Sequence, residues 1–207
     1  ISLGTITLVS ENIEVLGGTL SLAGGSVGAD GQVEVGEQGS LSLEGNLAVS
    51  GTLNLNDGAS VNFANNTIDA SGGRLELAGT RSLDSITTNA NTTLQINSSG
   101  SISRTDSGTS TVGDLLLSPA EGSSSASLDV SDMSLTVAGT APQFDENTIE
   151  LSNGNLEFQN SPTFVNGSSV DVSIGELILQ SGATISGSSF TFTSSIFKPS
   201  GTVSLVS

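Results

Sequence analysis

Short apolar pairs separated by one polar residue run along almost the whole chain. They begin with Ile6/Leu8, Ile13/Val15 and Leu20/Leu22, continue through Leu53/Leu55, Val61/Phe63 and Leu94/Ile96, and end with Phe190/Phe192 and Val203/Leu205. Alternation with period two places residues i and i+2 on one face of a strand. Successive pairs start roughly 6–8 residues apart, which predicts strands of about 3–5 residues joined by tight corners. No run puts apolar residues at i, i+3, i+4 and i+7, the spacing an amphipathic helix requires. Gly, Ser and Asn fill the intervals, as corners demand.

Many pairs share a glycine at the same offset. Gly18-Thr19-Leu20-Ser21-Leu22 is the first copy, followed by copies starting at Gly39, Gly51, Gly73, Gly154 and Gly201. Taking every third pair from Ile13 leads to Val33, Leu53, Leu75, Leu94, Leu115, Leu135, Leu156, Leu177 and Ile196, each step close to 20 residues. A fixed period in the range of about 20–50 residues marks a solenoid. The fold class is therefore expected to be all-β: a right-handed parallel β-helix (β-solenoid) of about ten coils, each of roughly 20 residues with three short strands. Coils stacked at about 4.8 Å would make a rod on the order of 50 Å long. The glycine motif reads as one of the three walls, with its two apolar residues pointing inward and the residue between them facing solvent.

A single domain, 1–207, is expected, because no stretch has the composition of a linker. Apolar pairs thin out over 98–127, where runs such as Ser107-Gly108-Thr109-Ser110-Thr111 and Glu121-Gly122-Ser123-Ser124-Ser125 predict irregular, loop-rich coils. Ala141-Pro142-Gln143-Phe144-Asp145-Glu146-Asn147 reads as a turn opened by Pro142. Phe becomes more frequent beyond it (Phe158, Phe164, Phe190, Phe192, Phe197), which suggests wider coils. Ile1-Ser2-Leu3 and Val203-Ser204-Leu205 keep the alternation, and no capping helix is visible. Open solenoid ends invite continuation of the sheet. The expected partners are further coils of a longer surface protein, or a second copy stacking end to end into a fibre. Because residue 1 is Ile rather than Met, the chain reads as a processed product or an excised piece.

Composition narrows the chemistry. Hydrophobic content is 35%, and aromatic content is 3%, all of it Phe; Trp, Tyr, His and Cys are absent. Low apolar content with a net charge of −17 would suit disorder, but only 4 Pro and a strict local alternation argue for a thin, aliphatic core. Without Cys there is no disulfide framework and no thiolate metal site. Four basic residues, Arg74, Arg81, Arg104 and Lys198, against 21 acidic ones cannot neutralise a phosphate backbone, so no nucleic-acid partner is expected. No apolar run reaches the ~20 residues of a membrane-spanning helix, so direct membrane insertion is not expected either.

Several local patterns carry a chemical alternative. Asp129 with Asp132, and Asp145 with Glu146, are close enough in sequence to form acid–base pairs, although a solvated acidic face accounts for them better. Gly24-Gly25-Ser26-Val27-Gly28-Ala29-Asp30-Gly31 approximates a calcium-binding nonapeptide but is off by one residue and does not recur. Weak, adventitious calcium binding is the most that outward carboxylates imply; no cofactor, catalytic residue or metal ligand is assigned. Thr5-Ile6-Thr7 and Thr191-Phe192-Thr193 match the hydroxyl pairs of ice-binding solenoids, without matching pairs between them. Four Asn-x-Ser/Thr sequons, at Asn65, Asn91, Asn97 and Asn166, are expected by chance in so Asn- and Ser-rich a chain.

Runs such as Gly45-Asn46-Leu47-Ala48-Val49-Ser50-Gly51-Thr52-Leu53-Asn54-Leu55 resemble the repeats of bacterial autotransporter passengers and filamentous-haemagglutinin-like adhesins. The resemblance covers most of the chain and transfers no site residues. It implies a secreted or cell-surface right-handed β-helix serving as a stalk, an adhesive surface or a filament subunit, in contact with surface glycans or proteins. The function expected is therefore non-catalytic, structural and adhesive. The alternative is a carbohydrate-binding or carbohydrate-cleaving β-helix.

Overall fold

The structure, a computed structural model, describes residues 1–119 and 123–206. Among these residues there are 24 strands and no helix. The first half contains β1 (Ser2–Leu3), β2 (Ile6–Leu8), β3 (Asn12–Leu22), β4 (Gly25–Val27), β5 (Gln32–Leu43), β6 (Leu47–Val49), β7 (Thr52–Leu55), β8 (Ser60–Asn62), β9 (Ile68–Asp69), β10 (Arg74–Ser82), β11 (Ile86–Thr87) and β12 (Thr93–Ser103). The second contains β13 (Thr109–Val112), β14 (Asp114–Ser118), β15 (Ser127–Ser131), β16 (Ser134–Val137), β17 (Gln143–Asp145), β18 (Thr148–Phe158), β19 (Thr163–Val165), β20 (Ser169–Leu179), β21 (Ala183–Ser186), β22 (Ser189–Phe192), β23 (Ser195–Pro199) and β24 (Val203–Val206). Strand pairs are parallel throughout. They stack into a β-solenoid of about 10 turns with about 21 residues per turn.

Each turn passes through three walls. Wall 1 starts with β2, β4, β6, β9 and β11, wall 2 with residues 12–15 of β3, and wall 3 with residues 18–22 of the same strand. In the first half of the rod, β3, β5, β10 and β12 run unbroken around the corner from wall 2 to wall 3. In the second half, β18 and β20 instead round the corner from wall 3 to wall 1. The core is a set of vertical columns, because a parallel ladder puts equivalent side chains directly over one another. Ile13, Val33, Leu53, Leu75, Leu94 and Leu115 form one such column, and all but the first are buried. Leu128, Ile149 and Val170 form another.

Apart from Gly18, whose φ is +73°, the motif glycines sit where one coil touches the next. A Cβ on Gly39 would lie 2.1 Å from the Val15 carbonyl oxygen, so no side chain fits between these turns. The motif does not mark a single wall. Gly18 and Gly39 lead into wall 3, Gly51, Gly73 and Gly201 into wall 2, and Gly154 into wall 1. At Gly39, Gly51, Gly73, Gly154 and Gly201 the reason is the same, a backbone of the neighbouring turn within 2.5 Å of where a Cβ would stand.

The series that counts every third pair holds from Ile13 to Leu115 and then changes wall. Leu135 pairs with Ser110, not Leu115, and Leu177 pairs with Phe197, while Ile196 sits opposite Glu176. The cause is one long turn. Gly100 pairs with Leu128, a step of 28 residues, whereas Gly79 to Gly100 and Leu128 to Ile149 are steps of 21. Within 98–127, strand is more extensive than the thin apolar pattern predicts, since β12 reaches Ser103 and β13 and β14 follow. Residues 120–122 lie outside the described residues. The turn predicted over 141–147 contains β17, whose Phe144 points inward and is fully buried. Phe144 stacks on Phe164 at 5.0 Å between ring centroids, and Phe158 meets both edge-on.

Each wall is interrupted once. Among the described residues no ladder joins β8 to β10 in wall 3, β11 to β13 in wall 1, or β14 to β17 in wall 2. Arg81 bridges the first gap. It occupies the column of Ile102, and its guanidinium donates to the carbonyls of Ala59 (3.0 Å) and Asn56 one turn below. At the second gap, Arg104 Nη1 donates to the Leu83 carbonyl (3.0 Å), and the Thr105 amide donates to Asp84 Oδ1 (2.8 Å). At the third, the Thr140 amide donates to Asp114 Oδ1 (3.2 Å).

Candidate binding face

The outward positions of wall 3 form two columns that sequence reading missed. The first runs Thr19, Ser40, Ser60 and then, above the interruption, Thr80, Ser101, Asp129, Glu150, Asp171 and Thr191. The second runs Ser2, Ser21, Ser42, Asn62 and then Ser82, Ser103, Ser131 and Ser152. Over five successive turns both positions carry a hydroxyl or, once, an amide. Strand geometry spaces them about 4.8 Å along the rod and about 6.6 Å across it. The signal lay in plain sight as Ser/Thr-x-Ser/Thr/Asn at 19–21, 40–42, 60–62, 80–82 and 101–103. It is dispersed because the glycine motif around it changes wall.

The hydroxyls bond between turns as well as facing outward. The Ser40 and Ser60 hydroxyls are hydrogen-bonded to each other, and Ser101 Oγ donates to Asp129 Oδ2 at 3.2 Å. Halfway along the rod the first column turns acidic, with Asp129, Glu150 and Asp171 on consecutive turns. A shallow depression opens beside them, lined by Gly79, Gly100, Ser101, Asp129 and Glu150. Gly79 and Gly100 stand in the column that Leu128 continues. Asp129 Oδ1 is buried against this floor without a hydrogen-bond partner.

Of the two acidic pairs drawn from the sequence, Asp129 and Asp132 sit in different surroundings, while Asp145 and Glu146 both line a depression with Gln143 and Asn166. Asp129 faces outward on β15, whereas Asp132 sits in the following corner at φ 53° and accepts from Asn153 Nδ2 (2.6 Å). Asp145 accepts from Asn166 Nδ2 (2.8 Å), and Glu146 occupies a corner at φ 54°. The carboxylates that do align, Asp129 with Glu150 and Asp171, are 21 residues apart in sequence, which local spacing could not reveal. Residues 24–31 do not form a calcium loop: Ser26 and Val27 belong to β4, and a Cβ on Gly25 would lie 2.0 Å from the Ile6 carbonyl oxygen. Among the described residues no group of three or more His, Cys, Asp or Glu is placed to hold a metal ion. Thr7 lies in wall 1 opposite Ser26 and Thr191 in wall 3 opposite Asp171, so the two Thr-x-Thr segments face different directions.

All four basic side chains are used internally. Arg74 pairs with Glu76 (2.7 Å), Arg104 with Asp106 (2.9 Å) and Lys198 with Glu176 (2.7 Å), while Arg81 serves backbone carbonyls. The rod therefore presents an acidic, hydroxyl-rich exterior to any partner. Its two ends are apolar. Ile1 (88% exposed), Val9 and Leu16 mark the first turn, and Phe197, Leu205 (79% exposed) and Val206 mark the last. No helix among the described residues is long and apolar enough to cross a membrane. No protein-family model matches the chain, and neither a curated protein nor a solved structure matches it.

Proposed function

We propose that the chain is a non-catalytic, extracellular structural and adhesive rod, with wall 3 as its contact face. One observation carries the reading: the paired columns of small polar side chains on wall 3, in register over three turns below the interruption and over two above it. The core needs aliphatics pointing in and asks nothing of the outward residues beyond solubility, yet wall 3 keeps them short, uncharged and aligned. Such a face is flat and repeats about every 4.8 Å, which suits a repeating, hydroxyl-bearing polymer such as a surface glycan. The apolar, unpaired ends support a place within a longer rod, extended by further coils of a surface protein or by a second copy stacked end to end. Secretion or display at a cell surface fits the same reading.

The test is binding of the purified rod to cells and to immobilised polysaccharides, with Thr80→Lys/Ser101→Lys on wall 3 compared with Thr52→Lys/Thr93→Lys on wall 2. Loss confined to the wall 3 variant supports the contact face. Equal behaviour of the two variants, or no binding by either the parent or the variants, overturns it. Electron microscopy of the same samples reads end-to-end growth directly.

One observation favours a second reading, a carbohydrate-cleaving β-helix: Asp129 and Glu150 line the same depression on neighbouring turns. Paired carboxylates are the usual equipment for glycoside hydrolysis. Release of reducing sugar that is lost in Asp129→Asn and Glu150→Gln would establish it.

A further inference from the structure

We infer that the rod contains a built-in weak joint at its sixth turn, formed by β13, β14 and β15, where it opens before any other interior turn does. Independent observations converge there. The ladder to the turn below is missing in wall 1, between β11 and β13, and the ladder to the turn above is missing in wall 2, between β14 and β17. Among the described residues, this is the one turn with an interrupted wall on both sides. In a solenoid each turn contacts only its neighbours, so stability is close to a sum of turn and interface contributions. Among interior turns, one with two thinned interfaces is held least.

The interior of the same turn is also impaired. Ser110 stands in the inward column directly below Leu135 and is buried, but its hydroxyl has no hydrogen-bond partner. Single buried atoms of Asn54, Arg81, Asp129 and Ser195 also lack partners, but the other polar residues buried as a whole among the described residues, Thr92, Asn147 and Ser168, are satisfied. Thr92 Oγ1 donates to the Ala70 carbonyl (2.9 Å), Ser168 Oγ is 2.8 Å from the Val165 carbonyl, and Asn147 Oδ1 accepts the Ala126 amide (3.0 Å). The sixth turn thus combines two missing ladders with an orphaned polar group where its neighbour above carries Leu. Side chains rather than sheet hold the two gaps: Arg104 and Asp84 below, Asp114 above.

Opening at this turn divides the rod into two blocks, turns one to five and turns seven to ten, each with unbroken ladders at the joint end. Local opening of this kind is a sub-global event read by amide exchange. The experiment is native-state hydrogen exchange by NMR on the full chain. Amides of β13 bonded to β16 and of β14 bonded to β12 are compared with ladder amides of β5 and β20. The expected result is exchange faster in β13 and β14 by on the order of tenfold or more. Equal or slower exchange there overturns the inference. A second arm uses Ser110→Val. Slower exchange confined to β13 and β14 supports the joint. Unchanged exchange in those strands, or a uniform shift along the whole rod, counts against it.

Discussion

Gly175 lies directly over Gly154, so close that a Cβ on Gly175 would come within 1.9 Å of the Gly154 carbonyl oxygen. Gly175 also has φ +130°, outside the range that L side chains adopt readily. Gly175→Ala must therefore strain the backbone and push two turns apart. The expected cost is about 3 kcal/mol or more, from unfavourable φ plus steric displacement. Gly167 is the control: its φ is +85°, but nothing lies within 4 Å of a Cβ there. Gly167→Ala should cost only about 1 kcal/mol. Urea titration of both variants measures the difference, and equal midpoints would contradict the close-approach account.

Phe164 is the hub of the aromatic cluster. It stacks on Phe144 at 5.0 Å, meets Phe190 edge-on at 5.0 Å and Phe158 at 6.4 Å, and is itself buried. A rod core this thin cannot close around a missing ring, because its backbone is fixed by ladders on all three walls. Phe164→Ala should therefore lose about 3–5 kcal/mol, whereas Phe164→Leu should lose about 1 kcal/mol. Thermal unfolding followed by circular dichroism separates the two.

Period-two alternation and the near-20 spacing make the solenoid legible without a structure. Each is imposed by geometry that repeats: inward columns of Leu, Ile and Val, and backbones that touch at glycine corners. What escapes is anything set between distant turns. Ile13 to Leu115 can be traced as one column because every turn between them has nearly the same length. The jump from Gly100 to Leu128 shifts the count, and the series then follows a different wall. Phe144 reads as part of a turn because Pro142 and a run of polar residues surround it. The wall 3 columns are equally hidden: Ser and Thr are so common in the chain that only the register distinguishes Ser42 or Ser103 from any other surface serine.

Arg81 acts as a clamp across the interruption in wall 3. Its guanidinium reaches the carbonyls of Asn56 and Ala59, and burial lowers its pKa while the Asp57 charge opposes that shift. Removing it leaves both carbonyls without this donor. Arg81→Ala should cost about 2 kcal/mol, the order of two lost hydrogen bonds to a charged group less the desolvation they offset. Arg81→Lys should recover less than half of that, because a single ammonium cannot span the fork. Chemical denaturation of the two variants reads the effect; full recovery by Lys would show that charge alone is what matters there.

Asp106 gives the rod an acid-sensitive fastening at its second interruption. The Arg104 guanidinium beside it, and then the Gly108 amide, lower its pKa to about 2, from an unfolded value of about 3.9. Depression of a carboxylate means that its contribution is complete above the unfolded pKa and disappears as pH falls through the folded one. Stability due to this pair should thus be constant from neutral pH down to about 4 and decline between about 4 and 2. Asp106→Asn should flatten that part of the pH–stability curve, its loss of stability present at neutral pH and gone by about pH 2, and modest in size because the side chain is largely solvent-exposed and screened. Urea midpoints at successive pH values for the parent and the variant check the sign. A curve that keeps its slope between pH 4 and 2 in the variant would assign the acid sensitivity to other carboxylates.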